Sequence, residues 1–407
     1  MCNRSGIRRT GLLPGEEKVG QMIGIGINSG TSADGVDIAV VEFGGSSTGS
    51  HSIRLLWSGS SPYPPSVKQL FLELVDHAPL LTSAAWFDIA GRFDTQLGAA
   101  YAGALFKALR ASGIKKSRVA FIGSHGQTVW HAPGPSVRSG TRQFGHGSTI
   151  QLGSPSVLAE RTGIPVVAGF RNKDVALGGQ GAPLAPILHF ELFRRYAPAV
   201  VLNIGGIANV TVIPSQGSFS GVCGFDTGPG NRLIDIAVAA YTQGRQGFDR
   251  NGILARRGTT DAVLLEKLMR DRFVMRRPPK STGREYYNEA YLRAHGVPLD
   301  EIDSIATLTD FTAHAVAGNL RRFVKRRIRR LIVCGGGARN KAILGQLSGL
   351  MDGVEVMPVE TFGYPASAIE PMLFAYLGYL GFNRLPVRLR NITGSSHPFV
   401  PGGIYVP

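Results

Sequence analysis

GINSGTSADGVDIAVVEF, residues 26–43, sets a polar, glycine-rich turn between two apolar segments that are typical of β-strands. A plain turn needs only one or two residues with positive φ. This turn instead holds two glycines, three hydroxyl side chains and the carboxylates Asp34 and Asp37 within residues 29–37. Two interpretations follow, an ordinary tight turn or a loop that binds a phosphate group.

Two further glycine turns favour phosphate binding. NIGGIAN (203–209) and CGGGARN (334–340) each follow an apolar segment that predicts a strand, as the first turn does. Such turns present successive backbone N–H groups without obstruction by Cβ atoms, which suits an anion. A phosphate site also needs a cation, and Asp34 or Glu370 could hold Mg²⁺ through water. For Asp34, stabilisation of the turn is the alternative role.

The order of predicted elements indicates two domains. The chain has 407 residues, more than one hydrophobic core usually holds. Strands and helices alternate along it, and similar strand–turn–strand units head its two halves, so we predict two related α/β domains with a cleft between them. The predicted limits are 22–197 for the first domain, completed by 376–407, and 198–375 for the second. Residues 1–21 are predicted to be a disordered extension or the result of a mis-assigned start.

The formal net charge of +16 first suggests nucleic-acid binding. No zinc-finger or RNP signature accompanies the charge, and part of it lies in RRFVKRRIRR (321–330), which we predict to be the exposed face of a helix. A solvated basic surface is the main interpretation, and an anionic small substrate is the next. Three cysteines, no long apolar segment and no secretory signal favour a cytoplasmic protein without nucleic-acid or membrane partners.

Asp226 is the candidate catalytic residue. It lies in GFDTGPGN (224–231), where we predict the end of a strand close to the start of a helix. A carboxylate in that place can cap the turn or the helix. It can also act as a general base that takes a proton from an attacking water or hydroxyl.

Three polar loops are candidate substrate contacts. GSHGQTVWH (123–131) suits a sugar, although His125 could instead be a core histidine. PPKSTGREYYN (278–288) could bind a carboxylate or phosphate or form a surface ion-pair loop, and ALGGQGAPLAP (176–186) mixes glycine with donors. Neither a P-loop nor a Rossmann fingerprint is present, since GIGINSG (24–30) has the wrong spacing and precedes a strand. The candidate contacts are His125, Gln127, Thr128, Gln180, Gly181, Lys280, Ser281, Thr282 and Arg284.

Eight motifs together resemble the 1,6-anhydro-N-acetylmuramic acid kinases. Each alone is ordinary, but their combination and order are specific to that family and cover the chain from about Met22 to its end. The motifs are SGTSADGVD (29–37), DTQLG (94–98), HGQTVWH (125–131), DVALGGQGAPL (174–184), LNIGGIANV (202–210), FDTGPGN (225–231), PKSTGRE (279–285) and VCGGGARN (333–340).

The resemblance implies the fold of the sugar kinase, actin and heat-shock chaperone ATPase superfamily, with two actin-like (ribonuclease H-like) domains and ATP in the cleft between them. It implies Asp226 as the catalytic base, Glu370 near Mg²⁺, and a homodimer. The residues that it assigns to ATP are Gly30, Thr31, Ser32, Ala33, Asp34, Gly35, Val36, Asp37, Gly205, Gly206, Gly335, Gly336, Gly337 and Asn340.

The implied reaction opens an anhydro bridge and phosphorylates the product. Asp226 would activate water to attack the anomeric carbon, and the released O6 would take the γ-phosphoryl group of ATP, giving N-acetylmuramic acid 6-phosphate and ADP in cell-wall sugar recycling. Levoglucosan kinases share many of the motifs and provide the alternative substrate. A catalytically silent ATP- or sugar-binding sensor on the same fold is the alternative from another class.

Two positions depart from the family pattern. Gly169 stands in VAGFRNKD (167–174) where the family usually has Asp, which removes a carboxylate from the predicted cleft. Pro371 follows Glu370 where the family has a small residue. Proline is compatible with a helix there only if it lies in the first turn.

Overall fold

The computed structural model describes residues 21–30, 35–45, 51–75, 82–132, 147–215, 219–283 and 285–407. In these ranges the chain forms a six-stranded sheet, a five-stranded sheet and a two-stranded sheet, with helices packed on the larger two. The predicted α/β class is therefore confirmed. The predictions for residues 1–20, for Thr31, Ser32, Ala33 and Asp34, and for Arg284 lie outside the described residues.

The strands are β1 Met22–Asn28, β2 Gly35–Gly45, β3 His51–Pro62, β4 Val119–Ser124, β5 Gln127–Ala132, β6 Ser148–Leu152, β7 Val166–Ala168, β8 Ala199–Ile204, β9 Ile207–Ile213, β10 Cys223–Pro229, β11 Arg330–Cys334, β12 Glu355–Pro358 and β13 Gly403–Tyr405. The helices are α1 Pro65–Val75, α2 Ser83–Ser112, α3 Pro155–Thr162, α4 Phe170–Ala176, α5 Pro186–Phe193, α6 Arg232–Tyr241, α7 Ala262–Met269, α8 Arg272–Met275, α9 Glu289–His295, α10 Ile302–Phe323, α11 Lys341–Leu350 and α12 Ile369–Phe382.

The first sheet has the strand order β13-β7-β4-β1-β2-β3. Its β1 and β2 form the antiparallel hairpin that the opening stretch predicts. Strand β13, near the end of the chain, pairs with β7 in this sheet. The end of the chain thus returns to the sheet that contains β1 and β2, and the predicted domain limits stay a prediction.

Alternation along β1 and β2 gives the first sheet two buried faces. Ile25 and Ile38 belong to one apolar cluster with helices α1 and α2, whereas Val41 and Phe43 belong to another. The second face is covered by α12, whose backbone approaches β1 very closely: a Cβ atom on Gly26 would lie 1.8 Å from the Pro371 carbonyl oxygen.

Replacing Gly26 with Ala should destabilise the protein by about 3 kcal/mol, at the upper end of ordinary overpacking, because the new methyl group meets backbone that cannot rotate away. Urea unfolding would measure the loss. Gly103→Ala is the matched control, since nothing lies within 4 Å of a Cβ atom there, and the same change in the middle of a helix should be neutral or stabilising. Equal urea midpoints for Gly26→Ala and Gly103→Ala would contradict the close approach of Gly26 to the Pro371 carbonyl.

The second sheet has the strand order β10-β9-β8-β11-β12, and its β8 and β11 run parallel. Parallel neighbours end at the same edge of a sheet, so the two glycine turns that follow β8 and β11 lie side by side. All three predicted turns thus follow strands, as the sequence indicates.

Pro371 is the third residue of α12. The first turn of a helix has no backbone acceptor for its N–H groups, so the proline costs no hydrogen bond there. Pro371 therefore lies in the first turn of the helix, the position in which a proline is compatible with it.

Two local predictions were wrong. Asp226 lies inside β10, and α6 begins only at Arg232, so the carboxylate is not at a strand end beside a helix N-terminus. The basic segment 321–330 is not one helix face: α10 ends at Phe323, and residues 324–329 form an irregular link to β11. Seven cations in this segment repel one another along a continued helix, whereas the link lets them spread into solvent.

Two further observations concern membrane-spanning helices and the cysteines. No helix in the described part of the chain is long and apolar enough to cross a membrane. Cys223 and Cys334 are both free thiols.

Candidate active site

Glu370 marks the place where the three glycine turns meet. Asn28 ends β1, and its Nδ2 donates to Glu370 Oε2 at 2.7 Å. The side chain of Asn203, near the end of β8, also hydrogen-bonds to this carboxylate. Gly335 follows β11 and packs on Asn203, whose Oδ1 would lie 2.4 Å from a Cβ atom on the glycine. The structure therefore joins the three turns around one carboxylate.

The carboxylates at this point fit a divalent cation. The side chain of Glu370 is exposed. Even so, desolvation by the surrounding protein raises the pKa of Glu370, and repulsion from the charge of Asp37 raises it further. Burial also raises the pKa of Asp37, although Ser60 Oγ donates to its Oδ1 at 2.5 Å. A hard cation would relieve the repulsion and prefers oxygen ligands.

The protein alone would not complete such a metal site. Among the described residues no group of three or more His, Cys, Asp or Glu side chains could hold a metal ion. Mg²⁺ commonly uses one or two carboxylates together with water and substrate phosphates, which fits the pair Asp37 and Glu370. Asp34, the second predicted metal residue, lies outside the described residues.

Gly205 and Gly206 leave bare backbone at the second turn. Neither has a positive φ, and a Cβ atom on either would have no neighbour closer than 3.8 Å. The protein's own packing therefore does not require glycine at these positions, whereas close approach of a ligand to the backbone would. Gly336 in the third turn has similar space, with its nearest neighbour at 3.7 Å.

The remaining predicted ATP residues shape the turns. Gly335 has φ +78°, and Gly337 packs on Ile204. Asn340 caps α11 by accepting hydrogen bonds from two backbone N–H groups, so its side-chain oxygen is already used. Val36 buries its side chain in the core, which leaves only its backbone for a ligand. Gly30 and Gly35 are the described glycines that flank the first turn.

Asp226 is a buried carboxylate with an unusual proton affinity. It is 7% exposed, and its Oδ2 accepts a hydrogen bond from the Thr282 N–H at 2.8 Å. Its own N–H donates to the Lys280 carbonyl at 3.1 Å, so the segment 280–282 runs beside it. Burial raises the pKa of Asp226 to about 7, against the opposing effects of the Thr282 hydrogen bond and the Lys280 charge. A general base works best near this value.

This pKa predicts the pH dependence of a reaction that uses Asp226 as a base. The active form is the carboxylate, so kcat/KM should be lost as the pH falls below about 7 and should level off above it. A profile of kcat/KM from about pH 5 to about pH 9 would check this. A base with an ordinary pKa near 4 would give a flat profile over that range, which would contradict the assignment.

Lys280 is turned toward the protein. It is 5% exposed, and its Nζ donates to the carbonyls of Phe273 and Val274 at 2.9 and 3.1 Å. The ammonium also lies over the Phe273 ring, and burial lowers the pKa of Lys280 to about 8. Lys280 therefore supports Asp226 and its neighbouring segment rather than presenting a free cation. Ser281 and Thr282 are partly exposed beside it.

His125 forms a cluster with a residue that the sequence reasoning missed, Arg171. The Nε of Arg171 donates to His125 Nε2 at 3.0 Å, and the imidazole stacks on Phe374 with 4.2 Å between ring centroids. Burial and the arginine charge hold the pKa of His125 well below its usual value, so the ring is neutral. His125 thus has the packed, hydrogen-bonded ring of a core histidine, and its role as a sugar contact stays a prediction.

Arg171 connects the two halves of the site. Its guanidinium lies within electrostatic range of Glu370 and Asp226. Burial lowers the pKa of Arg171 to about 10, so it remains a cation at neutral pH. The sequence offered one indication of Arg171: it lies two residues after Gly169, where the chain departs from the family pattern. Gly169 itself has φ +75°, and no described atom lies within 4 Å of a Cβ atom built there.

The other predicted sugar contacts line the same region. Gln127 is buried and accepts a hydrogen bond from Tyr63, whereas Thr128 is partly exposed and accepts one from Gln151. The carbonyl of Gly181 accepts from Arg171 Nη1 at 2.8 Å. Gln180 is held through its backbone N–H and has a partly exposed side chain.

Two surface hollows were found, and the first of them includes Val36 at the start of β2. One of about 390 Å³ is lined by Ser61, Gln96 and Lys107 among others, and one of about 380 Å³ lies beside Arg321. Neither contains Asp226 or Glu370.

A family model and the curated relatives identify one family. The family model for anhydro-N-acetylmuramic acid kinase matches residues 22–407. The anhydro-N-acetylmuramic acid kinase of Ralstonia nicotianae is 41% identical over 394 residues, which cover 94% of this chain and 96% of that protein.

Other relatives have the same name. The anhydro-N-acetylmuramic acid kinase of Caldanaerobacter subterraneus subsp. tengcongensis is 37% identical over 389 residues, covering 93% of this chain and 96% of its own. That of Vibrio cholerae is 37% identical over 386 residues, covering 94% and 98%. These matches run through every element described above.

Proposed function

This chain belongs to the anhydro-N-acetylmuramic acid kinase family, and we propose that it opens 1,6-anhydro-N-acetylmuramic acid with water and phosphorylates O6 at the expense of ATP. The membership makes it a kinase that transfers a phosphoryl group to an alcohol oxygen. The observation that carries the proposal is the convergence of three glycine turns on Glu370, with Arg171 linking this point electrostatically to Asp226.

The reaction balances as two coupled displacements. Water attacks the anomeric carbon, the bond from that carbon to the bridging oxygen breaks, and the freed O6 takes the γ-phosphoryl group from ATP. The products are N-acetylmuramic acid 6-phosphate and ADP. One hydrogen of the water stays on the new anomeric hydroxyl, and the other, taken by Asp226, is released to solvent.

Asp226 supplies the base in this scheme. Its carboxylate, with a pKa of about 7, accepts a proton from the attacking water. The Thr282 N–H fixes Oδ2, which leaves Oδ1 for the water. Arg171 remains charged and stabilises the negative charge that develops between Asp226 and the phosphoryl group.

The glycine turns supply the nucleotide site. Phosphoryl transfer depends mainly on positioning and charge neutralisation. Backbone N–H groups at Gly205 and Gly206 and around Gly30 would bind phosphate oxygens, and Gly335, Gly336 and Gly337 would lie beside the adenosine. Mg²⁺ held near Asp37 and Glu370 would neutralise charge on the phosphates when it is bound.

The sugar would occupy the side of Asp226 nearest Arg171. Exposed or partly exposed polar groups at Thr128, Gln180 and Ser281 are placed to bind its hydroxyl and amide groups. His125 and Lys280 would shape this side through their packing. The few, scattered cysteines support a cytoplasmic location. The family resemblance supports a homodimer, which sedimentation of the purified protein would check.

One assay separates the proposal from its alternatives. ADP release is measured with Mg²⁺ and, in turn, 1,6-anhydro-N-acetylmuramic acid, levoglucosan and glucose. We expect turnover with the first sugar. Faster turnover with levoglucosan would show that levoglucosan is the substrate. Nucleotide binding without turnover on any sugar would make the chain a sensor rather than a kinase.

A further inference from the structure

Four buried polar side chains form a hydrogen-bonded chain between the first glycine turn and the loop that begins at Gln127. Tyr101, in the middle of α2, is fully buried, and its hydroxyl donates to Ser29 Oγ at 2.9 Å. Tyr63, directly after β3, donates to Gln127 Oε1 at 2.9 Å. Ser29, which accepts from Tyr101, in turn donates its own hydroxyl proton to the Tyr63 hydroxyl. We call these four residues the tyrosine chain.

The ends of the tyrosine chain lie at two different parts of the proposed site. Ser29 follows Asn28, which holds Glu370, and opens the first phosphate turn. Gln127 opens β5, whose next residue, Thr128, is a proposed sugar contact. All four members are at most 6% exposed, so water cannot replace a bond that is lost.

The two loops have few other direct ties. Within the described part of the chain, β5 pairs with β6 in the two-stranded sheet and with neither β1 nor β2. The His125 N–H donates to the Ile27 carbonyl at 3.0 Å, which fixes the loop just before Gln127 but makes no contact with the turn itself. The ladder between β1 and β4 also joins Ile27 to Ser124, so the backbones before the two loops are fixed to each other. Beyond these paired residues, the hydroxyl of Tyr63 is the side-chain link from Ser29 to Gln127.

We propose that the tyrosine chain couples the nucleotide turn to the sugar loop, with Tyr63 as the positioning residue. A phosphate bound beside Ser29 and Gly30 fixes Ser29, Ser29 fixes the Tyr63 hydroxyl, and Tyr63 fixes Gln127 and the start of β5. The coupling is reciprocal, so bound sugar strengthens nucleotide binding by the same factor. The inference rests on the proposed function because that function assigns the two loops to ATP and sugar.

The test is calorimetric binding of 1,6-anhydro-N-acetylmuramic acid with and without a saturating non-hydrolysable ATP analogue. In the unmodified chain we expect the analogue to tighten sugar binding, by about 5–150-fold if the coupling is of ordinary size. We call the sugar Kd without the analogue divided by the sugar Kd with it the coupling ratio. Tyr63→Phe should bring this ratio close to one while both ligands still bind. Tyr101→Phe should lower the ratio less, and the double variant should add little to Tyr63→Phe, since residues in one network are not independent.

Tyr196→Phe is the control, because its ring packs on Phe362 in another part of the fold. It should keep the ratio of the unmodified chain. A lower unfolding midpoint in Tyr63→Phe with an unchanged ratio would overturn the proposal, because the tyrosine would then have only a structural role. A ratio of one in the unmodified chain would overturn it as well.

The outcome is separable from that of the proposed function. ADP release by the unmodified chain with the anhydro sugar tests the function without reference to either tyrosine. If turnover is present and the ratio is unaffected by Tyr63→Phe, only the coupling fails. If the sugar neither binds nor turns over, the function and the assignment of the sugar loop both fail.

Discussion

Asp226→Asn should reduce turnover of the anhydro sugar by about 10²–10⁴-fold, the usual contribution of a general base. The amide keeps the size of the side chain and can still accept the Thr282 hydrogen bond, but it cannot take a proton from water. Nucleotide affinity should change little, because the three glycine turns are untouched. ADP release and calorimetric binding of an ATP analogue would measure the two effects.

Asp352→Asn is a matched control for this variant. Asp352 is an exposed carboxylate in the second half of the chain, beside the hollow near Arg321, and its loss should leave turnover unchanged. Full activity in Asp226→Asn would remove the base from the mechanism. Unfolding midpoints are needed for both variants, because the amide at position 226 replaces a group that is 7% exposed.

Glu370→Gln should raise the Mg²⁺ concentration needed for half-maximal turnover by about 10–100-fold, the usual effect of removing a group that holds a metal through water. The amide cannot balance the charge of the cation, and it alters the hydrogen bonds with Asn28 and Asn203 that hold the turns together. Turnover at saturating ATP over a range of Mg²⁺ concentrations would give the shift.

Glu355→Gln provides the comparison for the metal prediction. Glu355 begins β12 and pairs with Arg330 on the surface, and its side chain is 62% exposed. The variant should show the Mg²⁺ dependence of the unmodified chain. If Glu370→Gln shows the same dependence and loses only kcat, the carboxylate positions the turns and takes no part in holding Mg²⁺.

The sequence predicted the elements that have strong local signals. Alternation and turn chemistry located the β1–β2 hairpin, and apolar segments before glycine turns located β8 and β11. It also proposed Asp226 from its motif as the candidate catalytic residue. These signals lie within a few residues of the feature that they predict, so they do not depend on how the chain folds back on itself.

Features that depend on tertiary contacts could not be predicted in this way. The pKa of Asp226 comes from burial by distant segments, among them residues 280–282. The role of Lys280 follows from two carbonyls in α8 that its ammonium reaches only in the folded chain. Arg171 was overlooked because its partners Glu370 and Asp226 are far from it in sequence.

The most direct test of the central claim is the mass of the product. The unmodified chain is incubated with 1,6-anhydro-N-acetylmuramic acid, ATP and Mg²⁺, and the sugar product is analysed by mass spectrometry. The proposed chemistry predicts a product heavier than the substrate by one water molecule and one phosphoryl group, formed only when ATP is present. A product that gains the phosphoryl group without water, or water without ATP, would contradict it.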